Sequence, residues 1–332
     1  MSLPKEILII LLTLSENSFA EMTVRDISIV VCTHKRFNLV KDCVTSFMKQ
    51  TTPKEKFEVI IVDNDLSPNK EVKELVEGAS FKINIKYYFE DNLGLSNARN
   101  RGGKEASAAW IGYTDDDAKV KEDYIEVLLG LINHNDFDII GGPYYPYYNI
   151  VKPKWFKESY ESAIYGNSRL FTNKEFLNGT NMVFRKDILE KGNWFDPLFG
   201  MAGKKIAYAE ETDLQIRLWK LYPGLKVFYC SDLVVYHLVP WGKMSVKDRL
   251  KRSYMMGKSQ AYMWVDKDEA ESNKIKASYQ LIKTFLSLII TAIPRLIVRD
   301  MEKYPFWQNY VYENISDYFR LIGRQVRYIL GG

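Results

Sequence analysis

WIGYTDDDA, residues 110–118, joins a short apolar run to three successive carboxylates with no turn residue between them. Trp110, Ile111 and Tyr113 read as a buried strand, and Asp115, Asp116 and Asp117 stand at its end. Adjacent carboxylates repel one another, so a fold that gathers them at the rim of its core favours a cation beside them. Alternate spacing offers Asp115 and Asp117 to one side, and hard oxygen ligands suit Mg2+ or Mn2+ carrying the phosphates of a nucleotide. Taken alone, the triplet favours a solvated acidic turn, a common feature at strand ends.

The segments upstream favour the first reading. Ile27, Ile29, Val30 and Val31 form a strand ending at Cys32-Thr33, and Leu39, Val40, Cys43, Val44, Phe47 and Met48 then recur at helical spacing. Val59 to Val62 make a second continuous apolar strand ending in Asp63-Asn64-Asp65, followed by a helix from about Asn69 to Glu77 closed by Gly78. A third strand, Ile83 to Tyr88, leads through the loop Glu90 to Ser96 to a helix beginning near Asn97. Continuous apolar strands alternating with helices predict an α/β fold: a Rossmann-like, doubly wound, mostly parallel sheet with helices on both faces. Such sheets bind ligands beyond the carboxyl ends of their strands, where Thr33, Asp63, Asn92 and Asp115 all lie.

Beyond Gly142 the chain turns to PYYPYYNIVKPKWF, an irregular aromatic segment expected to lie over the acceptor side of a site. Leu177 to Phe184 resumes a strand-like pattern. AEETDLQIRLWK, residues 209–220, reads as a helix with Leu214, Ile216, Leu218 and Trp219 inward and Glu210 and Glu211 in its first turn, where acids also suit the helix dipole. Strands follow around Lys226 to Cys230 and Leu233 to Tyr236, the latter ending at His237, and the chain reads helical from Ser245.

The 332 residues, 46% hydrophobic and 27% charged, can build a full core. A net charge of +4 demands no nucleic acid partner. Cys32, Cys43 and Cys230 are an odd, widely spaced set, which argues against a disulfide framework and fits a reducing compartment. Ile7 to Leu14 is too short to span a bilayer and is expected as a peripheral helix. Leu281 to Val298, broken by Lys283, Pro294 and Arg295, suits a helix lying on protein or membrane, with peripheral contact expected through residues 279–298.

Taken together, ISIVVCTHKRFNLVKDCVTSFMKQT, VIIVDND, NLGLSNARNRG, WIGYTDDDA, GTNMVFRKDIL with WFDPLFG, and AEETDLQIRLW resemble glycosyltransferase family 2, whose members have the GT-A fold and use nucleotide sugars. The segments occur in the family's order over roughly residues 27 to 260. The resemblance implies a GT-A catalytic domain at 26–242, with a nucleotide-binding half at 26–140 and an acceptor-binding half at 141–242. Residues 1–25 would then be an N-terminal apolar helix or tail, and 243–332 a C-terminal helical region. It implies an inverting transfer from a nucleotide diphosphate sugar, UDP favoured, to a hydroxyl of a glycan or polyprenyl-diphosphate-linked saccharide. Such an enzyme belongs in the cytoplasm, at the inner face of the membrane, in surface polysaccharide synthesis.

The same resemblance implies nucleotide contacts from Thr33, Asp63, Asp65, Asn92, Arg99, Asp115 and Asp116. Asp115, Asp117 and His237 would hold Mn2+ or Mg2+. Glu211 occupies the position of the family's catalytic base, where the pattern normally has Asp; the longer side chain leaves Glu210 and Asp213 as alternatives. The readings weighed against this one are a sugar-phosphate nucleotidyltransferase, a retaining transferase of the same fold, and a non-catalytic nucleotide-sugar binding subunit. The nucleotidyltransferase would carry a glycine-rich loop after the first strand, and CTHKRFN has no glycine.

Overall fold

The computed structural model describes residues 26–202, 207–263 and 270–330. The apolar helix expected over Ile7 to Leu14 lies outside them. The first half alternates as predicted: β1 (Ile27–Thr33), α1 (Phe37–Phe47), β2 (Phe57–Asp63), α2 (Lys70–Ala79), β3 (Ile85–Phe89), α3 (Leu95–Glu105) and β4 (Trp110–Asp115). The four strands pair in parallel in the order β3-β2-β1-β4. Their register sets Thr33 opposite Asp63 and Cys32 opposite Asp115, so three strands end at one level. The alternation of side chains along each strand feeds two cores. Ile29, Val31, Val59 and Ile61 pack on one face with Val40 and Val44 of α1, while Val30, Ile60 and Val62 pack on the other with Ala98 of α3.

Helix α2 runs through Gly78 rather than stopping there; Asn69 caps it by accepting from the Val72 amide, and Val72, Val76 and Ala79 bury its inner face. Helix α3 starts two residues earlier than expected, at Leu95. Its buried face is built from Ser96, Ala98, Arg99, Gly102 and Gly103, which brings its backbone close to the sheet.

The second half adds β5 (Ala118–Val120), α4 (Tyr124–His134), β6 (Ile139–Gly141), β7 (Tyr144–Tyr147), β8 (Arg169–Leu170), β9 (Met182–Arg185), α5 (Lys186–Lys191), α6 (Glu210–Leu221), β10 (Val227–Tyr229) and β11 (Val235–Leu238). Strand β9 runs antiparallel to both β4 and β6, completing an eight-stranded sheet β3-β2-β1-β4-β9-β6-β10-β8. Only Met182 onward of the expected Leu177 to Phe184 strand is extended, because Gln215 pairs with both the amide and the carbonyl of Leu177 and holds that loop off the sheet. His237 lies within β11 rather than after a strand ending at Tyr236, and β11 belongs to a separate small sheet, β5-β11-β7. That sheet is what carries His237 to the acids: β5 directly follows the triplet and pairs Ala118 with His237.

The C-terminal region is helical: α7 (Val246–Met263), α8 (Ala270–Ser287) continued through a π-helical turn at Leu288–Ala292 into α9 (Ile293–Ile297), α10 (Trp307–Tyr310), a second π-turn and α11 (Ser316–Leu330). Pro294 does not break the helix, since it sits in the first turn after the π-turn. Lys274–Ile297 is long and apolar enough to cross a membrane by length and composition. Helices α7 and α11 cross where both carry glycine: a Cβ on Gly257 would meet the Arg320 carbonyl oxygen, and one on Gly323 the Tyr254 carbonyl oxygen.

A Cβ on Gly102 would sit 2.3 Å from Val30 Cγ1. Gly102→Ala is therefore expected to cost about 1–3 kcal/mol by overpacking. Urea unfolding measures it, and an unchanged midpoint would show that α3 does not press on β1 as described.

Candidate active site

The loops that leave β1, β2 and β3 are stitched together by side chains. Asp63, 1% exposed, accepts from the Asn69 amide at 2.6 Å, the Tyr87 hydroxyl at 2.7 Å and the Asp65 amide at 3.3 Å. Asn64 donates to the Glu90 and Asn92 carbonyls at 2.8 and 2.9 Å and accepts from the Gly94 amide at 2.7 Å. Asn92 itself is exposed, with its side-chain amide on Glu90. Asp65 is buried, and its Oδ1 makes no hydrogen bond among the described residues, although His34 Nδ1 lies 3.5 Å away. Buried carboxylate oxygens ordinarily have partners, so this one is a spare acceptor at the strand ends.

At the end of β4 the three acids face different neighbours. Asp116 turns to the Thr33 hydroxyl at 2.8 Å and to Arg36 at 3.3 Å. Burial pushes its carboxyl up to about 7, against the pull of Arg36. Asp115, Asp117 and His237 instead converge, their potential ligand atoms all within 4.8 Å of one another. His237 Nε2 lies 3.2 Å from Asp117 and 3.7 Å from Asp115. Burial works against ionisation of Asp117, but the hydrogen bond and charge of His237, with Lys243 and Arg36, hold its carboxyl below the usual range. Two carboxylate oxygens and one imidazole nitrogen suit a divalent cation such as Mn2+ or Mg2+ and leave positions for phosphate oxygens. The convergence is compatible with that fit, since positive charge beside two such close carboxylates relieves their repulsion.

Arg99 ties this cluster to α6. Its guanidinium, 3% exposed, lies 2.8 Å from Glu210 and 3.4 Å from Asp115, donates to the Gly179 carbonyl at 3.4 Å, and stands 5.4 Å over the Phe195 ring. Burial alone would lower its pKa, but Glu210 and Asp115 outweigh it and keep Arg99 charged. Asp213 is spoken for, since Arg217 one turn on holds it at 2.9 Å while bonding the Gly192 and Trp194 carbonyls. Glu211 has no ion-pair partner among the described residues, and burial followed by the neighbouring Glu210 charge pushes its carboxyl up to about 8. Ala209, in the left-handed region at φ 77°, precedes both glutamates and sets the angle at which α6 enters.

Residues 28–192 match the sequence profile of Glycosyl transferase family 2. The chain belongs to that family. The transferase is 26% identical over 257 residues to the glucosyl-dolichyl phosphate glucuronosyltransferase of Haloferax volcanii, which covers 75% of this chain and 80% of the relative. Among solved structures it resembles the mannosyltransferase PcManGT of Pyrobaculum calidifontis in complex with GDP-Man and Mn2+, at TM-score 0.57 and 14% identity over 92% of this chain and 87% of that one. It also resembles S. aureus TarS 1–349 in complex with UDP-GlcNAc, at TM-score 0.53 and 16% identity over 91% of each chain. These likenesses identify the fold as GT-A, and the family makes the protein a glycosyltransferase enzyme rather than a nucleotidyltransferase.

The transferase thus brings Thr33, Arg99, Asp115, Asp116, Asp117, Glu210 and His237 into one linked set, with Glu211 beside it; Asn92 and Asp213 point elsewhere. Sequence reading did not single out Asn64, Gln215 or Asn181, which is fully buried and bonds the Pro143 and Leu233 carbonyls and the Tyr124 hydroxyl. Polar residues in loops look solvated in a sequence, and only the fact that Asn64 follows a strand-end acid hinted otherwise. Arg217 four residues after Asp213 was a readable signal that this acid would be paired.

Arg99→Ala leaves the buried Glu210 carboxylate uncompensated and removes one of the two positive neighbours of the partly exposed Asp115, and is expected to cost about 3–5 kcal/mol. Adding Glu210→Gln should recover part of the loss, read by denaturant unfolding of the double-mutant cycle. Strict additivity would mean that the two side chains do not interact.

Proposed function

We propose that the protein is an inverting transferase that moves a sugar from a nucleoside diphosphate, UDP favoured, to a hydroxyl of a lipid-linked saccharide or glycan, in surface polysaccharide synthesis. The observation that carries this reading is the convergence of Asp115, Asp117 and His237 within 4.8 Å, joined through Arg99 to the helix start that bears Glu210 and Glu211. TarS bound to UDP-GlcNAc, PcManGT bound to GDP-Man and Mn2+, and a relative whose name specifies a dolichyl phosphate acceptor support the donor, cation and acceptor classes. We assign nucleotide binding to residues 26–140, acceptor binding to 141–242 and an accessory role to 243–332.

Asp115, Asp117 and His237 would hold a Mn2+ or Mg2+ ion, which supplies charge stabilisation to the departing diphosphate. Thr33 fixes Asp116, and Arg36 bridges Asp116 and Asp117 at the phosphate side. Asp63 organises the base pocket, where the unpartnered Oδ1 of Asp65 can accept an N–H of the base. Glu211 accepts the proton of the acceptor hydroxyl as that oxygen attacks the anomeric carbon from the face opposite the diphosphate. The bond to the diphosphate breaks, and its electron pair leaves with the nucleotide. Burial, together with the Glu210 charge that Arg99 offsets only in part, raises the proton affinity of Glu211 and so makes it a stronger base. We also assign the enzyme to the cytoplasmic membrane face, with contact through residues 279–298; the exposed Tyr279, Ile282, Leu286 and Ile290 on one helix face support this.

Glu211→Gln should lower kcat about a hundredfold to ten-thousandfold while leaving UDP binding intact. Asp117→Asn should abolish the Mn2+-dependent thermal shift produced by UDP. Retained turnover in the first variant would move the base elsewhere, and anomeric NMR of the product decides inversion against retention. Glu211 must be deprotonated to act and its carboxyl is raised to about 8, so kcat/KM is expected to climb as pH rises through about 8 and then level. A profile already flat from pH 5 upward contradicts the assignment.

A further inference from the structure

The C-terminal helices enclose an open groove that the catalytic residues do not use. Val246, Leu250 and Tyr254 repeat at helical spacing along α7 to form one wall. Trp307 of α10 and Phe319 of α11 form the other, around a volume of about 660 Å3. Pockets for small organic ligands span about 300–1,000 Å3. The walls are hydrocarbon and aromatic rings, and from Val246 to Tyr254 the groove runs roughly 12 Å at the helical rise.

Two cations stand at its rim. Lys247 and Lys251 are one turn apart on α7, exposed, and neither has an ion-pair partner among the described residues. Like charges at this spacing repel and destabilise a helix by a few tenths of a kcal/mol. Their neighbour Arg252 behaves differently, paired with Glu161 at 2.6 Å and Asp248 at 2.7 Å. The fold therefore accounts for Arg252 and leaves the two lysines free to meet an anion.

The groove also begins a short way along the chain from the site, at Val246, with β11 ending at Leu238. Helix α7 begins three residues after Lys243, and the Lys243 carbonyl is fixed by the Tyr312 hydroxyl at 2.9 Å and by Arg252 at 3.3 Å. The same turn follows β11, whose Leu238 amide donates to the Asp117 carbonyl at 2.9 Å. The apolar face of the neighbouring helix, with Ile275, Ile282 and Ile289 exposed, carries a smaller hollow of about 370 Å3 whose rim offers a single lysine, Lys283, and this face suits a bilayer surface instead.

We propose that this groove binds the lipid of a lipid-linked acceptor: one isoprenoid chain lies against Val246, Leu250, Tyr254, Trp307 and Phe319, and its phosphate is met by Lys247 and Lys251. The proposal rests on the acceptor class proposed above and adds where that acceptor is held. Phosphate on hydrocarbon is the chemistry that two unpaired ammonium groups at the lip of an apolar trough recognise.

Binding of farnesyl phosphate, farnesol and inorganic phosphate to the full chain, followed by tryptophan fluorescence, tests it without requiring turnover. Farnesyl phosphate is expected to bind at least tenfold more tightly than either fragment. Lys247→Ala/Lys251→Ala should weaken farnesyl phosphate at least tenfold and leave farnesol unchanged; both residues are exposed, so circular dichroism should stay native. The UDP and Mn2+ thermal shift should also survive in that variant, which separates failure of the groove from failure of the catalytic assignment. Equal affinity of wild type and double variant for farnesyl phosphate overturns the proposal. So does loss of sedimentation with phosphatidylglycerol vesicles while farnesyl phosphate binding is intact, since the lysines would then serve the bilayer.

Discussion

The buried guanidinium of Arg99 is the constraint around which the site is arranged. It leaves α3, reaches Asp115 at the end of β4 and Glu210 at the start of α6, and meets the Gly179 carbonyl from the loop between them. A charge so enclosed persists only where opposite charge and hydrogen bonds replace water. The acids at the end of β4 and the glutamate pair, almost a hundred residues apart in sequence, are thereby fixed at the two ends of one planar group. The division of labour between Glu210 and Glu211 follows directly: one glutamate is consumed by the arginine, and the other is left with a raised proton affinity beside it.

A second layer of constraint comes from the C-terminal helices. Tyr312, 1% exposed, stacks on Tyr160 at 4.4 Å between ring centroids and meets Trp155 and Phe156 edge-on or tilted. Asn309 donates to the Trp155 carbonyl at 2.6 Å, and Glu313 accepts from Lys157 and Tyr160. The aromatic segment after Gly142, which by sequence is a loose surface cover, is riveted along much of its length. Aromatic pairs of this geometry add about 0.5–1.5 kcal/mol each beyond the area they bury. The region after residue 243 therefore acts on the shape of this aromatic segment.

How much of this was legible in the sequence depended on the kind of physics involved. The parallel strands and their common level were readable because β-branched runs alternating with helical spacing admit few topologies, and the acids at strand ends follow from that geometry. The approach of Asp115, Asp117 and His237 was expected only through family resemblance, for no local pattern says that a small second sheet turns β11 back onto the triplet. Gln215 and Asn181 were invisible for a different reason: each satisfies backbone groups in a buried loop, and a sequence does not show which carbonyls a fold leaves unpaired. Helix ends moved by two residues at Leu95 and Gly78, where caps rather than periodicity decide.

The stacking of Tyr160 on Tyr312 has a consequence for how the molecule is made. Tyr160 and Glu313, which meet in the same cluster, are separated by 153 positions along the chain. At about 5–20 residues per second, a ribosome delivers the second partner many seconds after the parallel strands have emerged. During that interval the parallel strands β1 to β4 can pair while the aromatic segment has nothing to lean on. Completion of this aromatic cluster is thus a late event of synthesis, separated in time from assembly of the parallel strands.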